Sequence, residues 1–210
     1  MAGKGQRGKK WSSSKGDNIA LSVVIKPTSL AVTQQFQLSV CAAVAACSFF
    51  KKYAGEEASI KWPNDLYWKD RKAGGILIES VVRTQEKGAN TWEWAIIGIG
   101  ININQTEFSP DLPNPVSLKQ ITGKHTNTVE LAKELCDWLD HYFREFITNG
   151  FENILAAYLS QFYKKDKKVR LKKDNRVFEA TIKGISSEGK LIVRHSMEEQ
   201  FDFGEIQWLI

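Results

Sequence analysis

No stretch of this 210-residue sequence approaches the roughly 20 consecutive apolar residues that a membrane-spanning helix needs. A helical span within it is excluded. The basic first ten residues are not followed by an apolar segment, so no secretory signal is expected. Cysteine is scarce: Cys41, Cys47 and Cys136 are odd in number, widely scattered and without C-x-x-C spacing. That excludes a disulfide framework or a cysteine zinc site, and predicts buried free thiols and a cytoplasmic setting. His125, His141 and His195 are equally scattered, none beside a motif, so no metal site or histidine triad is predicted. Internal repeats and low-complexity segments are absent as well.

Acidic excess is also missing. The net charge is +5, with the surplus in the first loop and in Lys164 to Lys173. Such a balance permits nucleic-acid binding, but it more often reflects anionic small ligands or an acidic partner protein. With 42% hydrophobic and 25% charged residues, the chain reads as one main domain plus a small second one.

What is present alternates between two periods. Ile19 to Ile25 is a β-branched apolar run bounded by Gly16-Asp17-Asn18 and Pro27, which predicts a buried strand. From Gln34 to Tyr53, apolar residues at helical spacing and an Ala-rich interior predict a helix. Strands are expected over 58–62, 65–68, 75–82 and 92–104, with a hairpin-like turn at Lys87 to Asn90. A polar, proline-containing loop should run from Gln105 to Gly123. Asn127 and Glu130 then resemble a capping box opening a helix that Gly150 stops, and a second amphipathic helix follows. Beyond Lys164 the period changes to 2, and five short strands in about 43 residues suggest a small barrel. The expected fold class is therefore α+β: a mixed, mostly antiparallel sheet packed by helices, then the barrel.

Four segments carry candidate chemistry. The first is Gly3-Lys4-Gly5-Gln6-Arg7-Gly8-Lys9-Lys10-Trp11, whose backbone N–H groups and cations can surround a phosphate or carboxylate. It misses the G-x-x-x-x-G-K-[ST] phosphate loop, because Lys10 stands where a hydroxyl is needed. Second, Lys61-Trp62-Pro63-Asn64-Asp65 presents a carboxylate and an amide on a rigid turn at a strand end, although turn geometry alone would also favour these residues. Third, Arg71-Lys72-Ala73-Gly74-Gly75-Ile76-Leu77-Ile78-Glu79 places a cation beside two glycines at the start of an apolar strand. Fourth, Gly98-Ile99-Gly100-Ile101-Asn102-Ile103-Asn104 sets glycines and asparagines within a β-forming run, the mark of a bulge or of a ligand against the backbone.

In order and spacing these four segments resemble the catalytic domain of the biotin protein ligases, and Gly204-Glu205-Ile206 resembles that family's SH3-like end domain. The resemblance implies a catalytic domain over 1–164 and an SH3-like domain over 165–210. It implies an ATP-dependent ligase that forms biotinyl-5′-AMP and passes biotin to a lysine of a biotin carboxyl carrier domain, with Mg²⁺ on the phosphates. Lys72, Lys4 and Arg7 are then the catalytic cations. The segment Gly3, Lys4, Gly5, Gln6, Arg7 and Gly8 would fold over biotin and the adenylate, and Trp11 would stack beside it. Asn64 and Asp65 would flank the acyl-phosphate, Asn102 would face adenine, and Gly75, Leu77, Gly98, Gly100 and Ile101 would line the biotin pocket. Gln6 stands where the family often has an arginine.

The family places a D-S-T-N-like segment on a strand and helix ahead of the glycine–cation loop. No such segment occurs in this sequence, so a truncated reading frame is expected. No helix-turn-helix is seen, so DNA binding is not predicted, while exposed sheet edges could pair two copies as a homodimer. Three alternatives stay open: a lipoate or octanoate transferase relative, an inactive ligand-binding remnant, and a basic nucleic-acid-binding module.

Overall fold

The computed structural model describes residues 2–5, 8, 10–84 and 90–209. Its centre is an antiparallel sheet of order β3-β7-β6-β5-β4, made of β3 (Asn18–Ile25), β4 (Ala58–Lys61), β5 (Asp65–Trp68), β6 (Arg71–Thr84) and β7 (Asn90–Asn102). A small hairpin, β1 (Ala2–Lys4) with β2 (Lys10–Ser12), precedes it. The expected turn at Lys87 to Asn90 lies mostly outside the described residues.

Alternation along each strand divides the sheet into two faces. Ile19, Ile76, Ile97, Ile99, Ile101, Ile60 and Leu66 point to one side and are at most 5% exposed. Against them lies α1 (Gln35–Ala54), in which every residue from Val40 to Cys47 is buried. The amphipathic spacing read from the sequence understates this helix, which is apolar all round because it is covered on both sides. Its other flank meets α3 (Thr128–Asn149) and α4 (Phe151–Ser160). Asn127 caps α3 by accepting from the Val129 and Glu130 N–H groups at 3.0 and 3.3 Å, and Gly150 ends it at φ 84°.

Within the expected loop 105–123 the structure places a short helix, α2 (Leu118–Thr122). Ser117 and Gln120 form its reciprocal capping box, a signal present in the sequence. After α4, residues 161–163 run along the β4 edge: Ile60 N–H donates to Gln161 O at 2.8 Å and Tyr163 N–H to Ile60 O at 2.9 Å. A second antiparallel sheet follows, ordered β11-β10-β9-β8-β12, from β8 (Lys168–Lys173), β9 (Arg176–Ile185), β10 (Leu191–Arg194), β11 (Glu198–Phe201) and β12 (Gln207–Leu209). The five expected short strands are all there, and the fold class is α+β. Cys41 and Cys47 are buried free thiols as expected, but Cys136 is exposed on α3, whose polar side it occupies.

Candidate functional site

One part of the central sheet's outer face, around Gly75, Gly98 and Gly100, carries little side-chain bulk. Cross-strand partners share a face, and the register sets Asp65 beside Gly75, Gly75 beside Gly100, and Gly100 beside Ala20. One row along, Leu77 lies beside Gly98 and Gly98 beside Ser22. Gly75, Gly98, Gly100, Ala20 and Ser22 thus floor a shallow trough with Leu77 on it. Strand parity sends Ile101 the other way, into the core at 1% exposure, so its expected place in a pocket lining is corrected.

Charge gathers at one end of the trough. Lys72 Nζ donates to Asp65 Oδ1 at 2.5 Å, with both side chains about one-third exposed (35% and 31%). The pair crosses above Gly75, where a Cβ would come within 3.1 Å of Asp65 Oδ1 and 3.6 Å of Lys72 Nζ. A side chain at 75 would press on the Asp65 carboxylate, and glycine leaves the pair undisturbed against the sheet. The Lys72 backbone is clamped as well: its N–H donates to Asn114 O at 2.8 Å, and its carbonyl accepts from Val116 N–H at 2.9 Å. Arg71 adds a bond to Pro115 O at 2.6 Å. A register shift between Leu66 and Tyr67 marks the bulge that lets β6 carry Lys72 there.

Both predicted asparagines brace backbone. Buried Asn64 donates its side-chain amide to Ile76 O, while its own carbonyl accepts from Ile76 N–H at 3.0 Å, fixing the turn that presents Asp65. Tyr158, fully buried, donates its hydroxyl to Pro63 O at 2.8 Å and secures the same turn. Asn102 donates to Val116 O at 3.0 Å, holding the segment behind Lys72. Sequence reasoning missed Asn18, whose amide reaches Ser13 Oγ at 3.0 Å and Gln105 Oε1 at 2.6 Å, while its Oδ1 accepts from Ile103 N–H at 2.9 Å. Its position in a Gly-Asp-Asn boundary suggested only a turn. The 114–116 clamp was equally missed, its available signal being the two prolines Pro113 and Pro115.

The β1–β2 hairpin lies over the trough. Gly3 is opposite Trp11 in its register, and the Trp11 ring sits on Gly100, where a Cβ would meet Cε2 at 2.8 Å. Lys4 reaches Glu79 Oε1 at 3.3 Å on the same outer face. At Gly98, by contrast, an added Cβ would meet only the Leu77 carbonyl, at 3.6 Å, among the described residues. Gly8 takes φ 75° in the hairpin loop, which suits glycine. Gly5 lies in the same loop, while Gln6 and Arg7 lie outside the described residues. The Trp11 indole Nε1–H is buried without an acceptor among the described residues. The structure therefore brings Gly3, Lys4, Trp11, Asp65, Lys72, Gly75, Leu77, Gly98 and Gly100 to one face. Chemically it offers a cation held by a carboxylate, a flat apolar floor and an aromatic cover, which suits a ligand with an anionic end.

Residues 1–102 match the sequence profile of the biotin/lipoate A/B protein ligase family, and residues 166–208 that of the biotin protein ligase C-terminal domain. The bifunctional ligase/repressor BirA of Bacillus spizizenii is 30% identical over 197 residues, covering 91% of this chain and 58% of that protein. The biotin–[acetyl-CoA-carboxylase] ligase of Paracoccus denitrificans is 29% identical over 201 residues, 92% of this chain and 80% of that one. The chain thus spans little more than half the length of the BirA relatives. Among solved structures, the Aquifex aeolicus biotin protein ligase in complex with biotin and ATP superposes with a TM-score of 0.80 at 22% identity, over 98% of this chain and 84% of that one.

Proposed function

Because the chain belongs to the biotin protein ligase family, we propose that it activates biotin with ATP at the Lys72–Asp65 end of the trough and passes the biotinyl group to a carrier lysine. The observation that carries this reading is the Lys72–Asp65 pair lying flat over Gly75 beside a glycine floor roofed by Trp11. In the first step a carboxylate oxygen of biotin attacks the α-phosphorus of ATP, and diphosphate leaves with the electrons of the broken P–O bond. The barrier is charge repulsion and lost orientational freedom. Lys72, already extended and braced, meets the developing charge without reorganising. In the second step the carrier amine attacks the acyl carbon and AMP leaves, under a cover that keeps water from the mixed anhydride.

Residues 1–164 are read as the catalytic domain and 165–210 as the C-terminal domain. Among the described residues no group of three or more His, Cys, Asp or Glu side chains converges as a metal cage. Asp65 fits the lesser need of Mg²⁺, which is commonly held by one or two carboxylates together with substrate phosphates. Bound there, Mg²⁺ would neutralise phosphate charge. The profile match over 166–208 favours biotin over lipoate as the acid.

The test is pyrophosphate release by the full chain with ATP and either biotin or lipoate. Release that requires biotin is expected. Release with lipoate alone, or none with either acid, overturns the reading.

A further inference from the structure

The residues from Trp62 to Asp65, behind the charged end of the trough, are tied down one after another. Asp65 accepts from Lys72 on β6, Asn64 bonds to Ile76 through its amide and its carbonyl, and the Pro63 carbonyl accepts from Tyr158 Oη on α4 at 2.8 Å. The remaining tie, at Trp62, comes from the other sheet. The Trp62 indole Nε1–H donates to Gly189 O at 2.9 Å, a buried bond, and Gly189 lies between β9 and β10. Trp62 is 5% exposed, and Phe203, which lies between β11 and β12, meets its ring edge-to-face at 5.8 Å.

The connection that carries Gly189 is itself held in shape. Gly189 N–H donates to Ser186 O at 3.0 Å, Ser186 N–H to Lys190 O at 2.9 Å, and Lys190 N–H to Ser186 Oγ at 3.2 Å. Gly189 takes φ 89° and lies so near Phe36 of α1 that a Cβ would come within 2.6 Å of the ring. A side chain at 189 would strain the backbone and press on that ring, and glycine lets the carbonyl come up to Trp62. The same sheet also rests on α4, where a Cβ on Gly184 would meet Leu159 Cδ2 at 3.1 Å. Docking of the sheet therefore has a second support, away from Trp62.

Resting on the adenylation reading above, we propose that Trp62 is a positioning residue for the first step, held by Gly189 of the C-terminal sheet so that its turn presents Asp65 to Lys72. A reacting centre tolerates little movement: a displacement of about 1 Å costs on the order of 100-fold in rate. Asp65 follows Trp62 by three residues, so the indole sets where that short turn begins. Without the bond to Gly189 the start of the turn is loosened, while Tyr158 and Asn64 still hold its middle. Asp65 then shifts, and Lys72 with it, in a chain that stays folded. The loss falls on alignment in the transition state rather than on binding of the acid, and so on kcat rather than KM.

The experiment compares wild type, Trp62→Phe, Leu159→Ala, Asp65→Asn and the double variant Trp62→Phe with Asp65→Asn, as full chains checked by thermal unfolding. Trp62→Phe keeps a ring beside Phe203 and removes the N–H. It should lower kcat for biotin-dependent pyrophosphate release about tenfold, with KM for biotin within about twofold. Amide exchange at Ile76, whose N–H bonds to Asn64 O, should quicken about tenfold in the same variant. In the Asp65→Asn chain, Trp62→Phe should cost less than about twofold more, because its effect passes through that carboxylate. Leu159→Ala loosens the other support and should lower the unfolding midpoint while kcat stays within about twofold. Gly189→Ala attacks the same bond from the other side and carries the test if Trp62→Phe fails to fold. Equal loss of kcat in Trp62→Phe and Leu159→Ala, or a full loss that persists without Asp65, overturns the positioning role. A wild-type chain that releases no pyrophosphate with biotin removes the adenylation reading, and exchange at Ile76 then decides alone: unchanged exchange in Trp62→Phe overturns the hold of Gly189 on the turn.

Discussion

The two faces of the central sheet are built by the same strands under opposite rules. On the inner face β7 contributes Ile97, Ile99 and Ile101, each at most 5% exposed and packed towards α1. On the outer face the intervening Gly98 and Gly100 contribute no side-chain bulk at all. The inner face spends its residues on exclusion of water, worth about 1.5–3 kcal/mol for each fully buried branched side chain. The outer face forgoes that gain and keeps room for something other than the protein. The difference separates stability from activity along a single strand, residue by residue.

Substitutions on each side should therefore fail in different assays. The largest effect is expected from Lys72→Ala on the outer face: pyrophosphate release with biotin should fall by about 10²–10³, the usual cost of a lost preorganised charge, with the unfolding midpoint nearly unchanged. Near-normal release would break the comparison at its charged end. On the inner face, Ile99→Ala should do the reverse, costing about 2–5 kcal/mol in urea unfolding while the surviving folded fraction keeps its activity. Gly100→Ala lies between them, since its new methyl would force the Trp11 ring off the sheet. Release of biotinyl-5′-AMP should quicken about three- to tenfold, the worth of one aromatic contact, at little cost in stability.

The smallest effect is chemical. Burial pushes the thiols of Cys41 and Cys47 up to about 12, so both stay protonated in the folded chain well past the ordinary thiol range. A thiol reagent at pH 8 should label exposed Cys136 quickly and the other two only on unfolding. The folded state holds these protons where the unfolded chain would release them. Stability should therefore decline as pH climbs from about 9 towards 12, and a chain with both replaced by alanine should lose less over that window. Rapid labelling of all three thiols would show that the inner side is open.

Periodicity made most of the fold legible. The helix read over 34–53 is Gln35–Ala54, and the strand read over 65–68 is Asp65–Trp68. The misses have local causes. The front of β6, Arg71 to Gly74, reads as a loop because cations and glycines are poor strand formers; pairing with β5 and the 114–116 clamp overrides that preference. In the site, the glycines, Lys72 and Asp65 were readable because each is an odd choice for its place. Asn64 and Asn102 were ambiguous, since an amide serves a ligand and a backbone carbonyl equally well, and the fold supplies the carbonyls of Ile76 and Val116. Ile101 was misassigned against its own parity, which the glycines at 98 and 100 had already fixed.

The segment 161–163 is both an exit and a seal. Its bonds to Ile60 occupy the hydrogen-bonding groups that β4 would otherwise present to another chain. Because this stretch also leads to the C-terminal sheet, that sheet is tethered at a margin already closed to strand addition. Among the described strands of the central sheet, β3 is left as the border at which a neighbouring polypeptide could be zipped on. Growth of the sheet is thereby given a single direction, away from Lys72 and towards the side where Ala20 and Ser22 stand exposed.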